Sequence, residues 1–160
     1  MKRGSTHFLR FTIFLFGIIA LIICIFGLPN IYKGGSLEFP AASYAIFTIV
    51  TILYMTAIPF FIALWQTLKL LNYIDENTAF SYPSVKALRN IKRCAMSMTF
   101  LYLMCVPFLF PIAEIDDAPG LVPIGAALSC IPLVIAVFAA VLERLLQNAI
   151  DIKSENDLTV

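Results

Sequence analysis

Four uninterrupted runs without a charged residue constrain this chain more than any other feature. They cover residues 11–32, 39–68, 94–113 and 118–142, with lengths of 22, 30, 20 and 25. Crossing about 30 Å of hydrocarbon takes roughly 20 apolar helical residues, so each run is long enough to span a bilayer. The chain has only 160 residues and is 61% hydrophobic, with a mean hydropathy of +0.92. Soluble domains carry about 45–50% apolar residues, and nothing here could cover four such helices in water. The expected fold is therefore all-α: a polytopic integral membrane protein with four transmembrane helices. We place the spans at about residues 11–31, 42–68, 94–113 and 119–142 of a single four-helix membrane domain covering residues 1–160.

The charges outside the runs set the expected orientation. Lys2, Arg3 and Arg10 precede the first run, Lys69, Lys86, Arg89, Lys92 and Arg93 lie between the second and third, and Arg144 and Lys153 follow the fourth. These are ten of the eleven basic residues, and with four crossings they all fall on one side. The other side has Lys33 with Glu38, Glu114, Asp116 and Asp117. Lys and Arg accumulate on the cytoplasmic side, which predicts N-in/C-in, a cytoplasmic loop over 69–93 and a cytoplasmic tail over 143–160. The first run is too long for a signal-peptide core of 7–15 residues, and Gly27-Leu28-Pro29 offers no small-residue cleavage site. A retained first span is expected, ending near Pro29-Asn30 with Gly34-Gly35 in an outer loop.

Within the spans, Pro59 predicts a bend in the second, and Tyr44 and Trp65 are placed as interfacial anchors at its ends. The fourth carries Gly125, Ser129, Pro132, Ala136 and Ala140 at steps of three and four, which aligns them on one helical face. Small residues in that register let backbones approach closely in lipid. Gly125, Ser129, Ala136 and Ala140 are thus candidate helix-packing residues, against another span or against a second copy in a homo-oligomer. In the central loop, Asn72 to Asn77 looks turn-like, Ser81 offers a cap and Pro83 fits a first helical turn. Val85, Leu88 and Ile91 then recur on one side, with Lys86, Arg89 and Arg93 on another. This pattern predicts an amphipathic basic helix hugging anionic lipid headgroups before the third span. After the fourth span, Leu142, Leu145, Leu146, Ala149 and Ile150 keep helical spacing until about Ser154, leaving an acidic tail.

Chemistry-bearing residues are sparse. His7 is the single histidine, and Cys24, Cys94, Cys105 and Cys130 show no C-x-x-C spacing. Glu114, Asp116 and Asp117 look like a solvated loop. There is no phosphate-binding loop, nucleophile elbow or zinc-helix motif. The spans hold hydroxyls but no ionisable groups beyond thiols and phenols, and hydroxyls can bond back to their own helix. These features predict a protein that is not an enzyme, with no cofactor and no metal. A net charge of +1 predicts no direct nucleic-acid binding, and leaves the lipid bilayer as the first partner.

Two segments carry a family resemblance. One runs Lys69-Leu70-Leu71-Asn72-Tyr73-Ile74-Asp75-Glu76-Asn77-Thr78-Ala79-Phe80-Ser81 and continues through Val85-Lys86-Ala87-Leu88-Arg89-Asn90-Ile91-Lys92-Arg93-Cys94-Ala95. The other runs from Val141-Leu142-Glu143-Arg144 to the end of the chain. Both resemble the bacterial domain-of-unknown-function 2975 family of small four-span membrane proteins. The resemblance implies a multi-pass protein of the bacterial cytoplasmic membrane and implies no activity. It also implies a possible cytoplasmic protein partner, such as a helix-turn-helix regulator. The expected function is a non-enzymatic regulatory or interaction protein acting through its cytoplasmic face. Its candidate interaction residues are Phe80, Ser81, Lys86, Arg89, Asn156, Asp157, Leu158, Thr159 and Val160. The basic helix and the acidic tail could also dock on each other. The alternative is transport or immunity-type self-protection against a membrane-active small molecule or peptide.

Overall fold

Four long passes cross between a basic end and an acidic end of the molecule. A computed structural model describes the backbone of residues 3–158 and the side chains of residues 6–155. α1 (Arg3–Ile22), a π-helical turn (Ile23–Gly27) and α2 (Leu28–Glu38) form one rod. A 3-10 turn (Pro40–Ala42) leads into α3 (Ser43–Asp75), followed by α4 (Tyr82–Ile115) and α5 (Leu121–Leu158). Helices covering Thr6–Glu38, Pro40–Asp75, Tyr82–Ile115 and Leu121–Glu155 are each long and apolar enough to cross a membrane.

Every pass is longer than its charge-free run, and three local expectations are corrected as a result. The first pass does not stop at Pro29-Asn30, and Gly34-Gly35 lie in helix rather than in an outer loop. Pro29 sits in the first turn of α2, directly after the π-helical turn, where its missing N–H interrupts nothing downstream. The 69–93 loop shrinks to residues 76–81, because α3 continues to Asp75 and α4 begins at Tyr82. The segment 85–93 is the opening of α4 and not a separate helix lying on lipid. Val85 and Leu88 are buried within the protein, while Lys86 faces outward. Amphipathic spacing marks one side of a helix as covered, and here neighbouring helices supply the cover.

The two turns after α3 and α4 share one design. Asn77 and Asp117 adopt left-handed backbones with φ of 55° and 50°. Thr78 N–H donates to the Tyr73 carbonyl at 2.9 Å, and Ala118 N–H to the Ala113 carbonyl at 3.0 Å. Such Schellman closures satisfy orphan carbonyls at a helix end, and Asn and Asp tolerate the left-handed region better than most residues. Ser81 holds the expected N-cap position with an extended backbone, φ −142° and ψ 154°, but its side chain makes no cap hydrogen bond. Its carbonyl instead accepts from the N–H groups of Ser84 and Val85.

α4 lies between α3 and α5, and these three passes make the tightest packing in the molecule. The first pass rests mainly on α3, and only 6% of its most apolar window is fully buried, which makes it the least covered of the four passes. Leu28, Ile46 and Val50 form one buried cluster toward the acidic end. Ala95, Met98 and Ala136 form another toward the basic end, with Phe60 against it. Pro59, Pro107, Pro111 and Pro132 all lie inside continuous helices. Most span hydroxyls bond back to their own helix, as Thr48 does to the Tyr44 carbonyl and Thr99 to the Ala95 carbonyl.

Candidate functional site

One span hydroxyl departs from that habit, and the backbone explains it. In the π-helical turn Leu28 N–H donates to the Ile23 carbonyl, five residues back. The next donor in this register would be residue 29, which is proline and has no N–H. The Cys24 carbonyl is thereby left without a helical partner, and the Tyr54 hydroxyl of α3 donates to it at 2.8 Å. This bond links the loosely packed first pass to α3 at mid-span. In hydrocarbon an unmatched carbonyl has no water to turn to. Tyr54→Phe is expected to lower stability by about 1 kcal/mol, measured as a drop in melting temperature in detergent. Unchanged melting would show that the Cys24 carbonyl finds another donor.

Two ion-pair clusters lie at the basic end. Arg10 on α1 donates through Nη2 to Asn72 Oδ1 at 2.8 Å and to Asp75 Oδ2 at 2.7 Å, near the end of α3. Its Nε is buried without a hydrogen-bond partner. In the second cluster, Glu143 on α5 accepts from Arg89 Nε at 2.7 Å and from Lys92 Nζ at 2.5 Å, both on α4. The Glu143 side chain is 9% exposed, against 45% for Arg89 and 33% for Lys92. Glu143 follows directly after the charge-free run of α5, outside the apolar span. The Lys92 hydrogen bond holds its carboxyl below the ordinary value against the opposing effect of burial, with Arg89 adding to the pull.

The small-residue face of α5 turns toward α4. Ser129 and Ala136 are 1% and 2% exposed, and Ala136 packs with Ala95 and Met98 of α4. A Cβ added at Gly125 would come within 2.3 Å of Leu109 Cδ1, so the backbones approach closely there. Ala140 is half-buried. The same face continues through Ala139, Glu143 and Ile150, all buried. In the sequence Glu143 is only the first residue of the expected tail over 143–160. Extending the three–four spacing from Ser129 through Pro132 and Ala136 by one more repeat would have reached it.

The proposed interaction residues are scattered at the basic end. Phe80 is exposed, Ser81 is half-buried with its hydroxyl 3.3 Å from that of Ser84, and Lys86 is exposed. Arg89 is engaged with Glu143, the first residue of the expected tail. Asn156, Asp157 and Leu158 continue the backbone of α5, while their side chains and all of Thr159 and Val160 lie outside the described residues. Trp65 is exposed with Lys69 Nζ 5.7 Å from its ring centroid, an arrangement suited to the bilayer interface.

Two adjoining apolar clefts lie between the passes. One of about 500 Å³ lies among α3, α4 and α5, and another of about 390 Å³ lies between the first pass and the α3–α4 seam. Leu53, Phe60 and Tyr102 line both. The four passes thus form a trough whose floor is α3–α4 and whose walls are the first pass and α5. Among the described residues, no group of three His, Cys, Asp or Glu side chains comes together in metal-binding geometry.

Comparison with known proteins agrees with the membrane architecture. The family described as "Protein of unknown function (DUF2975)" matches residues 34–160, which takes in α3, α4 and α5 and omits most of the sparsely packed first pass. The chain is 51% identical over 160 residues, all of both proteins, to the "Uncharacterized membrane protein YoaS" of Bacillus subtilis (strain 168). No solved structure matches it. With its three best-packed passes inside the family match and a full-length relative described as a membrane protein, this chain belongs to the DUF2975 family.

Proposed function

We propose that this is a non-enzymatic protein of the bacterial cytoplasmic membrane that binds a soluble helical protein through its basic end, which faces the cytoplasm. The observation that carries the proposal is the extension of α5. The helix continues from Leu142 to Leu158, about 24 Å at ~1.5 Å per residue, well past the last apolar run. One side of this extension packs inward through Glu143 and Ile150. Another side presents Leu142, Leu145 and Ile152, each more than half exposed, at spacings of three and seven. An apolar stripe in that register is how a helix seats in a groove or pairs with a second helix. The skewed distribution of Lys and Arg supports the orientation. The ionised side chains that converge at this end tie α1 to α3 and α4 to α5, a structural use of charge. A small helix-turn-helix regulator has suitable chemistry to be the partner.

The test is a photo-crosslinking residue at position 145 of the full-length protein in living cells. The expected adduct is with a soluble cytoplasmic protein, and Ile152→Glu should abolish it while membrane abundance stays constant. Adducts only with lipid or with the same chain, or an adduct indifferent to Ile152→Glu, would overturn the proposal. The apolar trough favours a second function, handling of a membrane-active amphiphile. That function would depend on trough residues such as Tyr102 and would leave the α5 extension dispensable.

A further inference from the structure

On the α4–α5 seam, at the basic end, two more clefts adjoin. One of about 430 Å³ has Arg93, Met96 and Ala136 in its lining, and one of about 550 Å³ has Glu143, Arg144 and Gln147. Lys92, Val137 and Ala140 line both, so they form one continuous groove. Its lower part is apolar, with Ala136 and Ala140 as a shallow floor. Its upper part is basic, and its position along the helices is informative. Arg93 immediately precedes the charge-free run of α4, and Arg144 comes two residues after the run of α5 ends. The two guanidinium groups therefore stand at the level where hydrocarbon gives way to headgroups.

Charge narrows the occupant further. Glu143 is already matched by Arg89 and Lys92. Neither Arg93 nor Arg144 makes a side-chain hydrogen bond or ion pair among the described residues. The rim thus offers two uncommitted cations that suit a phosphate. A molecule filling the groove needs an anionic head and an apolar chain that reaches down past Met96 to Ala136. We infer that this groove is a specific site for an anionic glycerophospholipid of the surrounding membrane, with its phosphate on Arg93 and Arg144 and one acyl chain along Val137 and Ala140. Basic pockets between membrane helices are suited to anionic headgroups, each Lys or Arg contributing to the attraction.

The experiment uses the full-length protein in vesicles of equal parts dioleoylphosphatidylglycerol and dioleoylphosphatidylcholine. After mild detergent extraction, the lipids still bound are counted by native mass spectrometry. Wild type should retain one phosphatidylglycerol with a preference over phosphatidylcholine of roughly tenfold or more. Arg93→Gln with Arg144→Gln should bring the ratio close to one, while Lys33→Gln at the acidic end should leave it unchanged. Ala140→Phe leaves the charges in place but fills the floor, and should remove the retained lipid. Equal retention of both lipids by wild type would overturn the site. So would a preference that survives either the double arginine variant or Ala140→Phe. The wild-type ratio and the Ala140 variant decide the matter even if the double variant fails to fold.

Discussion

Replacing Arg89 and Lys92 together by glutamine is expected to destabilise the protein by about 3 kcal/mol at neutral pH. The cost comes from the carboxylate left behind and not from the ion pairs themselves. Arg89 and Lys92 are partly exposed, and exposed pairs contribute only ~0–1 kcal/mol each. Glu143 is buried against α4 and would keep its charge without a counterion. Glu143→Gln removes the charge and its partners' target together, and should cost less. The pH dependence separates the two variants. Because the folded protein holds the Glu143 carboxyl below its ordinary value, the pairing stabilises the fold above the usual carboxylate pKa of about 4.3. That contribution is lost as pH falls through the lowered folded value. The deficit of the double variant should therefore be full at pH 7 and close in acid, where a protonated Glu143 needs no cation. The deficit of Glu143→Gln should close over the same range, since the wild type loses the contribution that this variant already lacks. Thermal unfolding in detergent, followed by the single tryptophan Trp65, measures both. A double variant that melts with wild type at pH 7 would show that Glu143 is not a buried charge.

Ala136→Leu is expected to cost about 1–3 kcal/mol, because extra methylenes in a close-packed seam force neighbouring side chains out of their rotamers. Ala136 is 2% exposed and packs against Ala95 and Met98 of α4. Its neighbour Val137 is 57% exposed on the lipid side of the same helix turn. Val137→Leu should change stability by no more than about 0.5 kcal/mol. Ser129→Leu should resemble Ala136→Leu, since Ser129 is 1% exposed and its hydroxyl donates to the Ala126 carbonyl of its own helix. Equal melting temperatures for Ala136→Leu and Val137→Leu would remove the case for a tight α4–α5 seam.

Much of this molecule was legible before any fold was known, and the reason is the solvent. Lipid demands long apolar helices, so the four runs declare the four passes by length and composition alone. The charge-free runs also end close to where the ion pairs stand, at Arg10, Lys92 and Glu143. The small face of α5 was legible from Gly125 to Ala140 because close approach in lipid requires small side chains in helical register. What covers a given face was not legible. Val85 and Leu88 have the spacing of a helix resting on a membrane surface, and neighbouring passes bury them instead. Helix ends were not legible either, since Lys69 and Asn72 are polar and yet helical, and the stops come from left-handed Asn77 and Asp117. The long-range links belong wholly to the tertiary structure. Tyr54 meets the Cys24 carbonyl only because a π-helical turn and Pro29 together leave that oxygen free. Glu143 meets Arg89 and Lys92 across more than fifty residues because packing of the small face brings α5 against α4. Local periodicity says which side of a helix is covered, and only the assembled passes decide by what.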